Sequence, residues 1–188
     1  MKKGEKGPTN EIVFQDDDEI HFLIKKKNGE KFVVKVDSTV YFNIVQEWRW
    51  YFVGTKTAAN INYVGRGYYL IEEGRKKHKT VYLHLEILGE KSKAYGDHID
   101  GDPLNNRRSN LRESFLSENL WNRGKSKNNT SGYKGVSFFK SAGKFKARIS
   151  RNGRRYFLGH FDNAVDAARA YDRAAVRMHG EFARLNNA

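Results

Sequence analysis

Cysteine is absent from this chain of 188 residues. A disulfide scaffold and a zinc site with cysteine ligands are therefore both excluded. The sequence also has no run of about 18 apolar residues, the shortest length that usually spans a membrane as a helix. No apolar segment follows the basic residues Lys2 and Lys3, so no secretion signal is visible. These absences predict a protein with no membrane partner and a cytoplasmic, intracellular location.

Acidic residues are scarce only in the last third of the chain. Residues 1–122 contain 20 Lys and Arg against 18 Asp and Glu, whereas residues 123–188 contain 15 against 4. The last third therefore carries nearly all of the formal net charge of +13. A local excess of this kind is expected where a protein lies on a polyanion. Charge alone does not separate DNA from RNA or from an anionic membrane surface.

The first 93 residues have the pattern of a β-rich region. Apolar runs at Ile20–Ile24 and Phe32–Val36 flank Asn28-Gly29. This dipeptide predicts a hairpin because it tolerates the positive φ of a type I′ turn. Two further strands are predicted at Tyr63–Ile71 and Thr80–Leu88, joined by a charged turn over residues 72–79.

Two features of this region allow more than one interpretation. Six aromatic residues lie between Val40 and Phe52. A small core under a sheet is the favoured interpretation, and stacking on nucleic-acid bases is the alternative. The acidic run Asp16–Glu19 favours a solvated turn, with metal binding as the alternative.

The segment from Asp97 to Asn119 combines residue types that suit phosphodiester hydrolysis. Asp97 and Asn119 offer oxygen atoms, the ligands preferred by a hard divalent cation such as Mg²⁺. His98 has the kind of side chain that accepts a proton from water near neutral pH. A cation and an imidazole base at one phosphate are sufficient for hydrolysis.

This segment resembles the HNH motif of His-Me finger nucleases, in the form found in phage and intron-encoded homing endonucleases. The resemblance implies a ββα-metal fold over residues 94–122. Its parts would be a strand at 94–99, a loop at 100–109, a strand at 110–114 and a helix capped by Ser117. The matching residues are Asp97, His98, Gly101, Leu104, Asn105, Asn106, Arg107, Asn110, Leu111, Arg112, Glu118 and Asn119.

The same resemblance implies a role for each central residue. Asp97 and Asn119 would be the metal ligands, and His98 would be the general base that activates water. Asn110 would complete the catalytic set by pinning the loop through backbone hydrogen bonds. One divalent cation is implied, with Mg²⁺ expected and Mn²⁺ as the alternative. The products would carry a 5′ phosphate and a 3′ hydroxyl.

Several positions depart from the motif or stay open. Asp102 stands where the motif usually has Asn, which adds a carboxylate. Arg107 and Arg108 either contact the DNA backbone or solvate the loop. His84 corresponds to a histidine that recurs upstream of the motif, but Leu85 follows it where an arginine is usual. A packed, hydrogen-bonded His84 is favoured over one that acts on the substrate.

The last third has the pattern of three strands followed by a helix. Residues 123–131 are polar and lack periodicity, which predicts a linker. The middle strand alternates basic and apolar side chains, so one face is basic and the other packs. A helix capped by Asn163 carries a stripe of alanines that would lie close to the sheet. The predicted strands are Tyr133–Phe139, Lys144–Ser150 and Arg154–Phe161.

Residues 132–186 resemble the DNA-binding domain of plant ethylene-response factors, the Apetala-two fold. The matching stretches begin at Tyr133, Leu158, Ala167 and Ala183, and read YKGV, LGHFD, AARAYDRAA and ARLN. In that family a three-stranded sheet enters the major groove of DNA. Basic contact positions match at Lys134 and Arg155. Departures from the plant pattern occur at Ser137, Phe139, Arg148, Ser150 and Phe157.

These departures mean that the plant target sequence does not transfer, although the dense basic surface still predicts DNA binding. The residues expected to contact DNA, those of the HNH loop included, are Arg107, Arg108, Lys134, Lys140, Lys144, Lys146, Arg148, Arg154, Arg155 and Phe157.

The sequence as a whole predicts an α+β protein of four parts. These are a β-rich region (1–93), an HNH ββα-metal motif (94–122), a linker (123–131) and a three-stranded antiparallel sheet packed on one helix (132–188). The predicted function is that of a metal-dependent homing-type endonuclease acting on double-stranded DNA, as a monomer or homodimer, from a phage or bacterial source. The alternative is a DNA-binding transcription regulator with a non-catalytic HNH scaffold. An RNA-binding protein is disfavoured because A-form RNA closes its major groove to such a sheet.

Overall fold

The computed structural model describes residues 3–4, 10–54, 62–89 and 95–188, so the predicted strand start at residue 94 lies outside it. Within these ranges the protein is α+β, with small antiparallel sheets and few helices, as predicted. The chain divides into two compact units, residues 1–113 and 114–188. The division falls inside the segment 94–122, and the finer domain limits stay predictions.

The first unit consists mainly of strands. Its helices are α1 (Ser38–Val40), which continues as a π-helix over Tyr41–Val45, and α2 (Leu83–Leu88). Its strands are β1 (Lys3–Gly4), β2 (Ile12–Gln15), β3 (Glu19–Lys25), β4 (Lys31–Asp37), β5 (Tyr51–Gly54), β6 (Asn62–Glu72), β7 (Arg75–Tyr82), β8 (Tyr95–His98) and β9 (Leu111–Ser114), whose last residue opens the second unit.

Strands β2, β3 and β4 form one sheet in that order, and the predicted hairpin joins β3 to β4. The predicted type I′ turn is wrong, because Gly29 has a φ of 87° but Asn28 does not have a positive φ. The Lys26 N–H donates to the Glu30 carbonyl at 2.9 Å, which closes a longer loop. A three-residue loop with its glycine in the left-handed region fits these contacts.

Strand β6 pairs with β1 and β5 and, along its other edge, with β7. The predicted strand at Tyr63–Ile71 is thereby confirmed. The predicted strand at Thr80–Leu88 is wrong beyond Tyr82, where α2 begins. Leu83, His84 and Ile87 are all buried. Helical spacing can place these three residues on one side, whereas strand alternation would turn His84 away from the other two.

The predicted charged turn over residues 72–79 is also wrong. Two residues, Glu73 and Gly74, make the whole connection between β6 and β7. Their φ values of 51° and 73° are those of a type I′ turn. The basic residues that follow are therefore part of β7 itself.

A single apolar core lies within the described part of the first unit and uses the aromatic cluster. Tyr41 and Trp50 are buried, and Trp48 and Phe52 pack against the same core. The core interpretation of these aromatic residues is thus confirmed. The acidic run forms a turn, as predicted, because Asp16 Oδ1 accepts the N–H groups of the residues two and three positions on, at 2.9 and 2.8 Å.

The second unit contains the predicted sheet and helix, but its first strand begins at Val136 and not at Tyr133. Strands β10 (Val136–Phe139), β11 (Lys144–Arg151) and β12 (Arg154–Phe161) form an antiparallel sheet in that order. Helix α4 (Ala164–His179) packs on one face through its alanines. Asn163 caps α4, since its Oδ1 accepts the Asp166 N–H at 2.8 Å. The buried alanines of α4 are Ala167, Ala168, Ala170, Ala174 and Ala175.

A short helix, α3 (Leu116–Asn122), opens the second unit. The predicted cap at Ser117 is wrong, because the helix begins one residue earlier with Phe115 in the capping position. Phe115 has no polar side-chain atom, so Glu118 supplies the contact: its Oε2 accepts the Phe115 N–H at 2.7 Å. Across the described ranges, every helix is too short or too polar to cross a bilayer.

Gly135 and Gly143 have similar positive φ values but different surroundings. Replacing each by alanine therefore distinguishes the cost of a left-handed backbone from the cost of a steric clash. Gly135 has a φ of 75°, and an added Cβ would overlap the Tyr171 ring and lie 2.6 Å from the Arg148 carbonyl oxygen. Gly143 has a φ of 63° with open space around the same position.

We expect Gly143→Ala to lower the free energy of unfolding by about 1–2 kcal/mol, through the left-handed backbone alone. Gly135→Ala should cost ~3 kcal/mol or more, because a clash with packed atoms adds to that strain. Urea unfolding of the whole chain, followed by circular dichroism, measures both. Equal losses in the two variants would contradict the packing described here.

Candidate functional site

Asn110 shapes the loop between β8 and β9. Its Nδ2 donates to Asp100 Oδ1 at 2.9 Å and to the Asn105 carbonyl at 2.8 Å, and its Oδ1 accepts the Asp100 N–H at 3.1 Å. Asn105 Nδ2 donates to Asp100 Oδ2 at 2.7 Å. Burial acts to raise the pKa of Asp100. Hydrogen bonds from the Asp102 N–H and from the Asn105 and Asn110 amides outweigh this effect and lower the pKa. A charged Asp100 thus anchors both ends of the loop.

The loop is also joined to the edge of β4. The Lys35 N–H donates to the Leu104 carbonyl at 2.9 Å, and the Lys35 carbonyl accepts the Asn106 N–H at 2.8 Å. Asn106 is fully buried, and its Nδ2 donates to the Pro103 carbonyl at 3.0 Å. Fixing the nitrogen of this amide also fixes the direction of its oxygen, which lies next to His98.

His98 ends β8, and only 5% of its surface is exposed. Its Nε2 lies 3.3 Å from Asn106 Oδ1. An amide oxygen only accepts hydrogen bonds, so Nε2 carries the proton in this contact and Nδ1 is the basic nitrogen. Burial lowers the pKa of His98, and the Asn106 hydrogen bond and the nearby carboxylates of Asp100 and Asp97 oppose this effect. The ring is therefore neutral at pH 7, which is the form that a general base requires.

His84, on α2, packs against His98. The two ring centroids are 5.0 Å apart, and the rings of Tyr63 and Tyr82 lie 5.1 and 5.8 Å from that of His84. The side chain is packed, as favoured, but its buried Nδ1 has no hydrogen-bond partner within the described residues. Burial first, and the neighbouring His98 second, lower the pKa of His84 to about 3.

Asp97 precedes His98 and forms an ion pair with Arg112 of β9. Arg112 donates from Nε and Nη2 to Asp97 Oδ2, at 2.9 and 2.8 Å. Both side chains are largely buried, so the pair also ties β8 to β9. The HNH resemblance assigned Arg112 no role, and its place as the partner of Asp97 is a feature that sequence reasoning missed.

Asn119, the other residue expected to bind metal, lies on α3 in the second unit. Its Oδ1 accepts a hydrogen bond from Ser114 Oγ at 2.6 Å. Ser114 is buried at the end of β9, so this bond ties α3 to the residue at which the second unit begins.

The oxygen donors of Asp97 and Asn119 fit a hard cation in type but are few. Among the described residues no three His, Cys, Asp or Glu side chains form a group that could hold a metal. Mg²⁺ tolerates such a set, because it keeps several waters and often binds one or two carboxylates together with substrate phosphates. A cation at Asp97 would have to share or replace the ion pair with Arg112.

Both arginines of the loop are used inside the protein. Arg107 donates to Glu19 Oε2 at 2.9 Å and to Asn105 Oδ1 at 3.0 Å. Arg108 donates from Nη2 to the Ile87 carbonyl at 2.9 Å. These contacts join the loop to the rest of the first unit. The two alternatives considered from the sequence, contact with the DNA backbone and solvation of the loop, did not include this role.

The face of β11 turned away from α4 carries Lys144, Lys146 and Arg148. Strand register places His160 beside Lys146, Phe157 beside Arg148, and Arg155 beside Ser150. Lys144 pairs with Asp162 at 3.1 Å, while Lys140 is exposed in the turn after β10. Apart from Lys140 in this turn, the predicted DNA-contact residues of this unit therefore meet on one face, with two exceptions.

The exceptions are Arg154 and Lys134. Arg154 pairs with Arg151 in the register of β11 and β12, one position from Arg155, so it falls on the opposite face. Lys134 is half-buried, and its Nζ donates to the Trp121 carbonyl. Burial, with a smaller effect from Arg184, lowers the pKa of Lys134 to about 8. Sequence reasoning counted both residues among the DNA contacts, because a motif shows neither the face on which a side chain lies nor its partner inside the protein.

Sequence reasoning named Phe157 but missed the two other aromatic members of this basic face, Phe139 and His160. The rings of Phe139 and His160 stack with centroids 5.2 Å apart, and Phe157 contacts His160 edge-on at 5.0 Å. The Lys146 ammonium lies 4.6 Å from the centre of the Phe139 ring. Flat rings among cations are well suited to contact with DNA sugars and bases.

Trp121 of α3 is held by the rest of the second unit. Its ring stacks on His179 at the end of α4, with centroids 4.7 Å apart and planes 5° from parallel. His179 Nε2 is bonded to the Ser150 carbonyl at 2.9 Å. Together with the Lys134 contact, this stacking makes α3 a packed part of the second unit.

Comparison with known proteins gives three relevant similarities. Protein 3.8 of Escherichia phage T7 is 39% identical over 120 residues, which cover 59% of this chain and 98% of that protein. An uncharacterized HNH endonuclease of Acanthamoeba polyphaga mimivirus is 30% identical over 175 residues, 86% of this chain and 88% of the relative. An AP2-like ethylene-responsive transcription factor of Arabidopsis thaliana is 46% identical over 57 residues, 30% of this chain but only 12% of that protein. No protein-family model and no solved structure matches the chain.

The buried, neutral His84 predicts a loss of stability in acid. Its pKa in the folded state is about 3, against about 6.5 when unfolded, so below pH 6.5 the unfolded chain takes up the proton first. The free energy of unfolding should fall by roughly 1.4 kcal/mol per pH unit on this account as the pH drops from about 6.5 towards 3.

Replacing the ring with an apolar side chain removes this contribution. Urea unfolding at pH 7.5 and pH 5 should show His84→Leu near the wild type at pH 7.5 and more stable than it at pH 5. If the free energy of unfolding fell equally in both proteins between pH 7.5 and pH 5, His84 would not be the neutral group described here.

Proposed function

This chain belongs to the family of the mimiviral HNH endonuclease, and from that premise we propose that it is a metal-dependent DNA endonuclease of the homing type. It hydrolyses phosphodiester bonds and leaves a 5′ phosphate and a 3′ hydroxyl. The observation that carries the proposal is the neutral His98, which follows Asp97 at the end of β8 and is bonded to Asn106 of the loop that Asn110 holds in place. Similarity to a phage protein supports a phage or bacterial source.

His98 is the general base. Its Nδ1 takes the proton from the attacking water, while Asn106 holds Nε2 and thereby the tautomer. Asn110 acts through the loop and not on the substrate, because its amide is committed to Asp100 and Asn105. Since the ring is enclosed, access of water and phosphate requires its surroundings to open when DNA binds.

Asp97 and Asn119 would hold one divalent cation, Mg²⁺ or Mn²⁺, which would supply positive charge for the phosphate and the leaving oxygen. This assignment rests on the matching motif positions and on the oxygen chemistry of the two side chains. Arg112 orients the Asp97 carboxylate at the end of β8.

The sheet of the second unit directs the enzyme to double-stranded DNA. Cations on one face of β11 and β12 reach phosphates, and the aromatic group around His160 contacts the groove. Lys140, Lys144, Lys146, Arg148, Arg155 and Phe157 are the residues we assign to this contact. Arg107, Arg108 and Lys134 act internally through the contacts described above.

A DNA-binding regulator without cleavage activity is the second candidate. The enclosed ring of His98 and the ion pair of Asp97 with Arg112 favour it, because both catalytic side chains already have protein partners. Both candidate functions predict DNA binding, so only an assay of DNA cleavage distinguishes them.

Incubation with supercoiled plasmid and Mg²⁺ tests the endonuclease. We expect nicked or linear product that a chelator abolishes, and a loss of ~10²-fold or more in rate for His98→Ala with duplex binding intact. The measurement is the initial rate of nicking on agarose gels.

His21→Ala is the matched control, because His21 is a half-buried histidine of β3 in the same unit, bonded to Glu19 at 3.0 Å. This variant should cut at the wild-type rate, and circular dichroism should show both variants folded. Nicking that survives in a folded His98→Ala would remove His98 from the mechanism, and no metal-dependent nicking by the wild type would favour the regulator.

The basic face is tested by removing two of its charges. Arg148→Gln with Arg155→Gln should weaken binding to a DNA duplex and lower the slope of log K against log salt by about 2, or ~0.9 per lost phosphate contact. Fluorescence anisotropy over a salt series gives both values.

The control pair is Arg173→Gln with Arg177→Gln, which removes the same charge from the exposed side of α4. It should leave the salt slope nearly unchanged. Equal changes in the two pairs would mean that net charge alone, and not this face, attracts the DNA.

A further inference from the structure

The β6–β7 hairpin of the first unit has a basic outer half that the proposed function leaves unused. The strands pair from Gly65 opposite Tyr82 to Glu72 opposite Arg75. Strand β5 pairs with β6 only as far as Gly65, and β1 pairs with it at Tyr68 and Tyr69. Beyond Tyr69, within the described residues, the hairpin is a two-stranded ribbon. We refer to residues 68–79 as the basic ribbon.

Four of the five residues at positions 75–79 are Lys or Arg, and all five are exposed. Cross-strand pairing accounts for Arg75, which lies opposite Glu72, but not for the three lysines. Lys76 lies opposite Ile71, Lys77 opposite Leu70 and Lys79 opposite Tyr68. Opposite charges across a strand pair stabilise a sheet, whereas these cations face apolar or aromatic residues. Lys77 has one exposed ion pair, with Glu72 at 2.8 Å, and such pairs contribute little to stability.

Apolar side chains lie in water between these cations. Ile71 is 80% exposed near the tip of the ribbon, and Tyr69 is also exposed. The Lys76 ammonium lies 4.1 Å from the centre of the Tyr69 ring, and the His78 ring lies 5.2 Å from it. Cations interleaved with an aromatic ring and a β-branched residue favour a nucleic-acid partner over a purely solvated face.

The geometry of the ribbon fits a DNA groove. The major groove admits a two-stranded β-ribbon and is ~12 Å wide and ~8.5 Å deep. The two-stranded end runs from Leu70 to Lys77 and consists of three residue pairs, ~10 Å of strand, closed by the turn at Glu73 and Gly74. Alternation puts Lys76 on one face and Lys77 and Lys79 on the other, so cations point towards both walls of a groove.

We propose that the basic ribbon is a second DNA-contact surface, which places its tip with Ile71 in a groove and its lysines on the flanking phosphates. The proposal rests on the proposed function only in taking double-stranded DNA as the partner. The first unit would then contact the duplex independently of the sheet in the second unit. The sequence balance of +2 over residues 1–122 concealed this surface, because acidic residues elsewhere in the unit offset the ribbon.

The test compares two triple variants of the whole protein. Lys76, Lys77 and Lys79 are each changed to Gln in the ribbon variant. Lys25, Lys27 and Lys31, three exposed lysines at the β3–β4 hairpin of the same unit, are changed to Gln in the control. Both lose the same charge. Affinity for a fluorescent 40-base-pair duplex of random sequence is measured over a salt series without added metal, so that cleavage plays no part.

We expect the ribbon variant to bind at least ~10-fold more weakly at low salt, with a salt slope reduced by about 2–3. The control should stay within about twofold of the wild type. Ile71→Thr, which changes no charge, should weaken duplex binding without altering the slope.

An unchanged slope in the ribbon variant overturns the proposal, and so does an equal loss in the control variant. Loss of binding to an RNA duplex or single strand, with DNA binding intact, would identify RNA as the partner and also overturn it. Failure of the proposed function looks different: the wild type then does not nick plasmid, while its duplex binding still weakens in the ribbon variant. If only the Arg148 and Arg155 pair affects binding, the function stands and the ribbon proposal fails.

Discussion

Three buried asparagines hold the loop on which the candidate catalytic residues depend. Burying an amide without partners costs ~1–3 kcal/mol for each unsatisfied group, and Asn105, Asn106 and Asn110 avoid this cost through reciprocal contacts. Asn110 bonds Asp100 and the Asn105 backbone, while Asn106 bonds Pro103 and His98. Because each bond needs the others in place, the loop has one shape. That shape fixes the Asn106 side-chain oxygen next to His98.

The two units bury their side chains by different means. The first combines a mixed apolar core with this polar loop, and charged contacts such as that between Arg107 and Glu19 join the loop to the sheet. The second relies on small side chains, since alanines of α4 lie directly against Ala147 and Ile149 of β11. Close helix packing on one side leaves the other face of the sheet free of core residues. Cations and flat rings therefore occupy that face.

Local patterns in the sequence sufficed for β11 and α4 of the second unit. Alternation in residues 144–150, the Asn163 cap and the alanine stripe each specify one element, and these elements are present. The first unit was harder to predict, because the choice between strand and helix at residues 83–88 depends on burial of Leu83 and Ile87 against distant strands. The loop at Asn28-Gly29 differs from the predicted type I′ turn because Gly29 has a positive φ and Asn28 does not.

The candidate site shows the same limit. The motif spacing placed Asp97 and His98 together, and the expectation that Asn110 pins the loop agrees with its contacts. The partners of these residues could not be predicted, because the Asp97–Arg112 ion pair and the packing of His84 on His98 depend on tertiary structure. Similarly, a count of charges along the chain cannot tell which cations share a face.

The division of the chain at residues 113 and 114 has a consequence for its modularity. Helix α3 aligns with the nuclease motif, yet its Trp121 is stacked on His179 and bonded to Lys134 within the C-terminal unit. Exchange of the C-terminal sheet and helix at the polar segment 123–131 would remove the packing partners of that tryptophan. A chimera that keeps α3 packed would have to be joined upstream of it, so the C-terminal unit and the last part of the motif segment are exchanged together.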